Sequence, residues 1–254
     1  MRRLCALLCA AALTLLGACG FSGGVLPTSP AGLPTLTPTP LPAAAPSATP
    51  EPVQLAVTAD MGQEYIDAIV FYGDSNTNAL RLQGILPPEQ VWTPPSGTLT
   101  LNRWDIDGVL YPETQAQMSL AGAAALRRPE YIIVNVGANG VSFMDEEYFK
   151  SEYAQMLEAL KAASPDSKII CSSLFPVAES YPYQGDINND KLTQASRWIY
   201  EVAEAEGVRF IDSAAAVRDD GGALPESLHI GDGYHLNAEA HRMVLQYIRT
   251  HAWL

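Results

Sequence analysis

Short, nearly continuous apolar segments alternate along this chain with segments that have the apolar spacing of a helix. A strand that is apolar on both faces is typical of a parallel sheet covered by helices on both sides. The predicted strands occupy residues 68–72, 90–93, 131–136, 168–174 and 208–211. Their alternation with helices indicates βα units. The sequence therefore predicts an α/β fold whose functional residues follow the carboxyl ends of the strands.

End signals and apolar spacing predict the helices between these strands. Asp145 is a predicted N-cap, because an acidic first turn and one apolar face follow it. Asn188 or Asn189 is predicted to cap the next long helix, which ends near Gly207. We predict a further helix over residues 113–127, stopped by the proline that follows, and a turn over residues 105–108.

The first 52 residues differ in composition from the rest of the chain. Arg2 and Arg3 precede an apolar run over residues 4–16, which is typical of a signal peptide. The sequence Leu-Gly-Ala-Cys at residues 16–19 resembles the lipobox of bacterial lipoproteins. This resemblance implies removal of residues 1–18 and lipidation of Cys19; an ordinary signal peptide is the alternative. Residues 19–52, rich in Pro, Thr and Ala, are predicted to form a tether to a folded domain over residues 53–254.

Charge and cysteine content limit the partners, disulfides and cofactors that we expect. The formal net charge of -13 predicts repulsion of nucleic-acid phosphates and anionic lipids. We therefore expect no nucleic-acid partner, and contact with a membrane only through lipidated Cys19. Only Cys19 and Cys171 remain after removal of residues 1–18, so no disulfide framework is expected. Cys171 is predicted to be a buried strand residue. No spacing of His, Cys, Asp or Glu suggests a metal site, and we expect no cofactor.

Polar clusters follow two of the predicted strands and precede the last helix. Gly73-Asp74-Ser75 ends the first strand, where a serine can serve as a nucleophile. Asn139 follows a central strand, so it is expected at the same edge of the sheet as Ser75. In the last loop, the Asp232 carboxylate can reach Nδ1 of His235 across one turn. Nε2 of that histidine is then free to take a proton from the serine.

In this order, the clusters at residues 73–75, 137–139 and 232–235 resemble the pattern of the SGNH/GDSL hydrolase family. The resemblance covers about residues 66–252. It implies a three-layer α/β/α sandwich with a flavodoxin-like parallel sheet. It also implies that Ser75 is the nucleophile, His235 the base and Asp232 the residue that orients the base.

The resemblance implies an oxyanion hole as well. Its donors would be the backbone N–H of Ser75, the side-chain amide of Asn139 and the backbone N–H of one more glycine. Gly97 is our choice for this glycine, and Gly108 is the alternative. Gly140 stands where the family often has Asp, so the geometry around Asn139 can differ from the common form.

Several residues near the predicted site are assigned other roles. Asp74 is predicted to brace the turn that aims the serine. His229 is predicted to lie on a surface loop, with a place lining the site as the alternative. His241 and His251 are predicted to face solvent. The loops near the site also carry aromatic residues that can stack on sugar rings: Trp92, Trp104, Tyr181, Tyr183 and Tyr234.

These observations predict a monomeric, lipid-anchored serine esterase outside the cytoplasm. Its substrate would be a small ester or an acylated carbohydrate, with acetyl as the favoured acyl group. Two alternatives remain open. One is an acyltransferase that acts on a cell-wall or exported polysaccharide, and the other is a surface binding protein without catalytic activity.

Overall fold

A parallel five-stranded sheet forms the centre of the domain. The computed structural model describes residues 52–254; the predicted signal peptide, Cys19 and nearly all of the tether lie outside the described residues. The strands are β1 (Ile69–Gly73), β2 (Val91–Trp92), β3 (Val109–Tyr111), β4 (Ala116–Met118), β5 (Tyr131–Asn135), β6 (Lys168–Ser172) and β7 (Arg209–Ile211). The sheet order is β2-β1-β5-β6-β7, and β3 and β4 form a separate antiparallel pair.

Helices cover both faces of this sheet. They are α1 (Gly62–Asp67), α2 (Ser75–Leu82), α3 (Trp104–Asp107), α4 (Leu120–Arg127), α5 (Glu146–Ala163), α6 (Asn189–Glu206) and α7 (Ala238–Arg249). Val70 and Tyr72 of β1 pack with apolar residues of α4, α5 and α6. Ile69 and Phe71, which alternate with them, pack with residues of α1 and α7. The predicted three-layer α/β/α sandwich is thus confirmed.

The register of the central strands brings two predicted site segments to the same edge. Gly73 at the end of β1 pairs with Asn135 at the end of β5. Ser75 follows the first of these strands, and Asn139 follows the second in a 3₁₀ turn over Ala138–Gly140. Adjacent parallel strands therefore deliver both segments to the carboxyl edge of the sheet.

The predicted helix caps are also confirmed. The Asp145 side chain accepts the Tyr148 N–H at the start of α5, and the Asn188 side chain accepts the Lys191 N–H at the start of α6. Gly207 ends α6 with a φ of 68°, a left-handed conformation that glycine adopts without strain. Cys171 is fully buried in β6, and burial raises the pKa of its thiol to about 12.

The segment between β2 and β5 differs from the prediction. Residues 113–118 belong to the β3–β4 hairpin, and α4 begins only at Leu120. The Ser119 side chain accepts the Gly122 N–H and so sets the start of this helix. The predicted turn over residues 105–108 is wrong as well, because α3 extends to Asp107 and ends at Gly108.

Among residues 52–254, no helix combines the length and the apolar character needed to cross a membrane.

At the amino end of the described chain, Gln54 forms one parallel bridge with Phe210 of β7. This bridge is the contact of the entering chain with the β7 edge of the sheet.

Candidate active site

Ser75 is positioned by the tight junction between β1 and α2. The helix begins at Ser75 itself, directly after Asp74, whose carboxylate accepts the Asn76 N–H at 3.1 Å. The first backbone N–H of a helix has no carbonyl partner within that helix, so the Ser75 N–H can bind an anion. A Cβ at Gly73 would lie 2.0 Å from Thr77 Oγ1 and 2.6 Å from the Asn135 carbonyl oxygen. The junction therefore requires glycine at this position.

A chain of hydrogen bonds connects Ser75 to His235 and Asp232. Ser75 Oγ lies 2.9 Å from His235 Nε2, and His235 Nδ1 lies 2.6 Å from Asp232 Oδ2. The carboxylate can only accept, so the Nδ1–H donates to it and Nε2 keeps a lone pair for the serine proton. This is the arrangement that general-base activation of a serine requires.

The Asp232 carboxylate also organises its own loop. Its Oδ1 atom accepts the backbone N–H groups of Tyr234 and His235, both at 2.9 Å. Partial burial acts to raise the pKa of this carboxyl group, but the hydrogen bonds from the His235 ring and the two backbone N–H groups outweigh burial and lower it. Asp232 is therefore ionised at neutral pH and holds His235 in one tautomer.

Asn76 connects this loop to α2. Its side-chain oxygen accepts the Leu236 N–H at 2.9 Å, and its backbone carbonyl accepts a hydrogen bond from His241 Nε2 at 3.1 Å. His241 is only 2% exposed, so the prediction that it faces solvent is wrong. Burial lowers the pKa of His241 to about 4, and the ring is neutral where it packs between α7 and α2.

Asp74 has a different environment from Asp232. It is 1% exposed, and burial raises the pKa of its carboxyl group to about 6. It caps the helix that begins at Ser75, which is the bracing role predicted from the sequence.

The predicted oxyanion donors are only partly in place. Asn139 Nδ2 donates one hydrogen to the Leu99 carbonyl oxygen at 2.9 Å, which leaves the second hydrogen of this amide for another acceptor. The Gly97 N–H donates to the Pro94 carbonyl oxygen at 2.8 Å within a turn. In this conformation Gly97 does not present a free N–H, contrary to its predicted role.

Gly97 and Gly108 both have structural reasons to be glycine. Gly97 has a φ of +74°, and a Cβ there would lie 2.3 Å from the Asn78 side chain on α2. Gly108 has a φ of +56°, and a Cβ there would lie 2.2 Å from the Met118 carbonyl oxygen of the hairpin. The alternative choice of Gly108 as an oxyanion donor stays a prediction.

The side chains of two further histidines are not fully exposed. The His229 side chain is 5% exposed, and its Nδ1 atom accepts the backbone N–H groups of Gly231 and Gly233. His229 thus lies in a loop, as predicted, but its ring is turned toward the backbone of that loop. His251 is partly buried and stacks on Tyr247, with ring centroids 3.7 Å apart. Sequence spacing carried no signal for the bonds of His229, because they depend on the shape of the loop.

The aromatic residues near the site differ in exposure. Trp92 is fully buried in the core, so it cannot stack on a sugar as predicted. Tyr183 is 63% exposed and packs edge-on against Tyr181, which in turn contacts Tyr234. The Tyr234 ring lies 4.9 Å from the His235 ring. A continuous aromatic strip thus connects the site to an exposed tyrosine.

The site lies open on the surface. The side chains of His235 and Asp232 are 34% and 42% exposed. Within residues 52–254, no three His, Cys, Asp or Glu side chains lie together in a way that could hold a metal ion.

Comparison with known proteins gave one family and several similar structures. Residues 71–243 match the family described as GDSL-like Lipase/Acylhydrolase. No curated protein matched the sequence. A structure described as a candidate platelet activating factor from Streptococcus pneumonia has 16% identity and a TM-score of 0.55, covering 75% of this chain and 91% of its own. This similarity shows a common fold.

Two other solved structures are more distant in shape. A GDSL-like lipase from Bacteroides thetaiotaomicron has 20% identity and a TM-score of 0.46, covering 71% of this chain and 85% of its own. A mutant of an acetylxylan esterase from Geobacillus stearothermophilus has 16% identity and a TM-score of 0.44, covering 73% of this chain and 94% of its own.

Proposed function

The chain belongs to the GDSL-like Lipase/Acylhydrolase family, and we propose that it is a serine esterase that cleaves short acyl esters. One observation carries the proposal: the hydrogen-bond chain from Ser75 through His235 to Asp232, with distances of 2.9 and 2.6 Å. We assign Ser75 as the nucleophile, His235 as the general base and Asp232 as the group that orients the base.

The reaction follows from this geometry in two steps. Ser75 Oγ attacks the acyl carbon while His235 Nε2 takes its proton. The tetrahedral oxyanion accepts hydrogen bonds from the Ser75 N–H and the second amide hydrogen of Asn139. His235 then gives its proton to the departing alkoxide. The alcohol leaves the site, and the acyl group remains bound to Ser75 as an ester.

The second step releases the acyl group. Water attacks the acyl-serine while His235 Nε2 takes one of the water protons. The tetrahedral intermediate then collapses to a carboxylic acid, and His235 returns its proton to Ser75 Oγ. The charge on Asp232 stabilises the imidazolium that forms in each step, because the carboxylate stays ionised.

The open site supports a small acyl group on a bulky alcohol. The exposed faces of His235 and Asp232 leave room for an ester that projects from a large molecule. The exposed Tyr183 ring offers an apolar face of the kind that sugar rings contact. We therefore favour acetylated carbohydrate as the substrate. Attachment to the cell surface through Cys19 is part of the proposal and is supported by residues 1–52 alone.

The test is hydrolysis of p-nitrophenyl acetate by the full chain. Ser75→Ala is expected to lower kcat/KM by about 10³-fold or more, since the nucleophile is removed. Ser151→Ala is a matched control, because Ser151 is exposed on α5 and is expected to leave activity unchanged. A wild-type protein that hydrolyses no ester would contradict the proposal.

Substrate class is tested separately. Acetate release from acetylated xylan and from acetylated peptidoglycan compares two carbohydrates directly. Octanoate turnover much faster than acetate turnover would point to a lipase instead. Transfer of the acetyl group to an added sugar, in place of its release as acetate, would identify an acyltransferase.

A further inference from the structure

The loop that carries both Asp232 and His235 has little regular secondary structure, so its shape must come from specific hydrogen bonds. Its ends meet where the Ile230 N–H donates to the His235 carbonyl oxygen at 3.0 Å. Two of its residues, Gly231 and Gly233, have φ values of +107° and +78°. Such a conformation is accessible mainly to glycine, and a buried N–H group within it needs a partner.

We propose that His229 is a positioning residue that supplies those partners and so holds the Asp232–His235 pair in its reactive geometry. The proposal rests on the proposed esterase function. His229 Nδ1 accepts the Gly231 N–H at 2.9 Å and the Gly233 N–H at 3.0 Å. Asp232 accepts the next two N–H groups, those of Tyr234 and His235. Two neighbouring side chains therefore divide the amides of this loop between them.

The bonds of His229 determine its tautomer. Because Nδ1 accepts two N–H groups, the ring proton lies on Nε2. Nε2 lies 3.0 Å from Glu226 Oε2 and donates to that carboxylate. The loop thus contains a second carboxylate–histidine pair, and its free nitrogen points at the backbone rather than at the serine. Glu226 is largely exposed, so its contact with the ring contributes little.

The burial of Gly233 makes the shape of the loop depend on the His229 acceptor. Gly233 is buried against Tyr181, where a Cβ would lie 2.9 Å from the Tyr181 Cα atom. An N–H group buried at this position cannot turn to water if its acceptor is removed. The loop must then shift, and the shift moves Asp232 and His235 away from Ser75. Because misplacement of catalytic groups affects the chemical step, kcat falls while KM changes little.

Two substitutions separate the acceptor from the rest of the ring. His229→Leu removes the acceptor and keeps an apolar side chain of moderate size. His229→Asn places Oδ1 on Cγ, where the histidine has Nδ1, and so keeps the acceptor while it loses the Glu226 contact. With p-nitrophenyl acetate and the full chain, we expect the leucine variant to lose about 10- to 100-fold in kcat with KM within about threefold. The asparagine variant is expected to keep kcat within about threefold of the wild type.

Matched controls make the result specific. His251→Leu removes a partly buried histidine from the end of the chain and is expected to keep the wild-type kcat. Glu226→Ala removes only the exposed partner and is expected to change kcat less than threefold. Wild-type kcat in a folded His229→Leu variant would overturn the proposal. Equal losses in the folded leucine and asparagine variants would overturn it too.

A measurement without substrate keeps the proposal separate from the esterase assignment. Nitrogen-15 NMR of the wild-type imidazoles should show His229 as the Nε2–H tautomer. The Gly231 and Gly233 amides should exchange slowly with solvent in the wild type and in His229→Asn. An Nδ1–H tautomer, or fast exchange of both amides in the wild type, would overturn the proposal. If the wild type hydrolyses no ester, the proposed function fails while these spectra still decide the role of His229 in the loop.

Discussion

Two carboxylates lie close to Ser75, and their surroundings give them different roles. Asp74 precedes the serine in the chain, is buried and caps α2. Asp232 lies 157 residues after Ser75, is partly exposed and accepts a hydrogen bond from the His235 ring. Proximity in sequence to Ser75 therefore does not identify the carboxylate that pairs with His235.

Substitution of the two carboxylates should lower kcat by different amounts. Asp232→Asn replaces an ionised acceptor by a neutral amide, which no longer stabilises the positive charge on the His235 ring. We therefore expect kcat to fall by about 10²- to 10⁴-fold. Asp74→Asn keeps a side-chain oxygen for the Asn76 N–H, and a loss of about tenfold or less is expected. Steady-state kinetics at pH 7.5 measures both variants. A larger loss for Asp74→Asn than for Asp232→Asn would contradict this assignment.

Asp74 should also affect how stability depends on pH. Burial raises the pKa of its carboxyl group from 3.8 to about 6, so the folded state binds the proton more tightly than the unfolded state. The contribution of Asp74 to stability is therefore fully present below about pH 3.8 and is lost as pH rises through 6. The unfolding free energy lost in this way is on the order of 3 kcal/mol at most.

Asp74→Asn removes this titration and provides the measurement. Urea unfolding of the wild type and the variant is compared at pH 4.5 and pH 7. The variant should gain stability relative to the wild type at the higher pH. A stability difference that is constant across this range would show that Asp74 does not titrate as described.

At the scale of single elements, local signals in the sequence were reliable. Asp145 and Asn188 each cap the helix that follows them, because a cap depends on residues three positions apart. Ser119 is the same kind of signal and sets the start of α4, yet the helix-forming residues before it led to a helix that was too long. Those earlier residues belong to the hairpin in which β4 pairs with β3, and this pairing forms only in the folded chain.

The parts of the site that escaped prediction depend on distant residues. His241 bonds to the Asn76 carbonyl oxygen across 165 positions of the chain, so its burial has no local signature. The Gly97 N–H is occupied by Pro94, a detail of turn geometry that a glycine in a Pro-Pro-Ser-Gly sequence does not specify. By contrast, the three clusters that contain Ser75, Asn139 and His235 follow or precede regular elements, which allowed their common location to be predicted.

The β1–α2 junction is the element on which the site most depends. Gly73→Ala would place a methyl group 2.6 Å from the Asn135 carbonyl oxygen, which belongs to the neighbouring strand and cannot move aside. We expect a loss of about 1–3 kcal/mol in unfolding free energy from this overpacking. Because Ser75 follows two residues later, kcat should fall in the protein that remains folded.

Gly185→Ala is the matched control for this junction. A Cβ at Gly185 would have no atom within 4 Å, and its φ lies outside the positive range. Urea unfolding and esterase kinetics of both variants provide the comparison. Equal stability and equal activity for the two alanine variants would show that the junction tolerates a side chain.

At the scale of the whole molecule, the dominant property is negative charge. The net charge of -13 is spread over a chain with a pI of about 4.6. Such a surface produces a field that lowers the local concentration of anions and raises that of cations. The effect extends about 30 Å at 0.01 M salt and about 10 Å at 0.1 M salt. The open active site therefore lies within the field at low ionic strength.

This field predicts a salt dependence that differs between substrates. The kcat/KM for p-nitrophenyl hemisuccinate, an anion at pH 7, should rise about two- to fivefold from 0.01 to 0.3 M NaCl because salt screens the repulsion. The value for neutral p-nitrophenyl acetate should change little, which makes it the control for any effect of salt on the enzyme itself. Equal responses of the two esters would mean that the charge does not act at Ser75. A rise for the anion alone would also explain how an acidic surface disfavours anionic esters before they reach the hydrogen-bond chain of Ser75, His235 and Asp232.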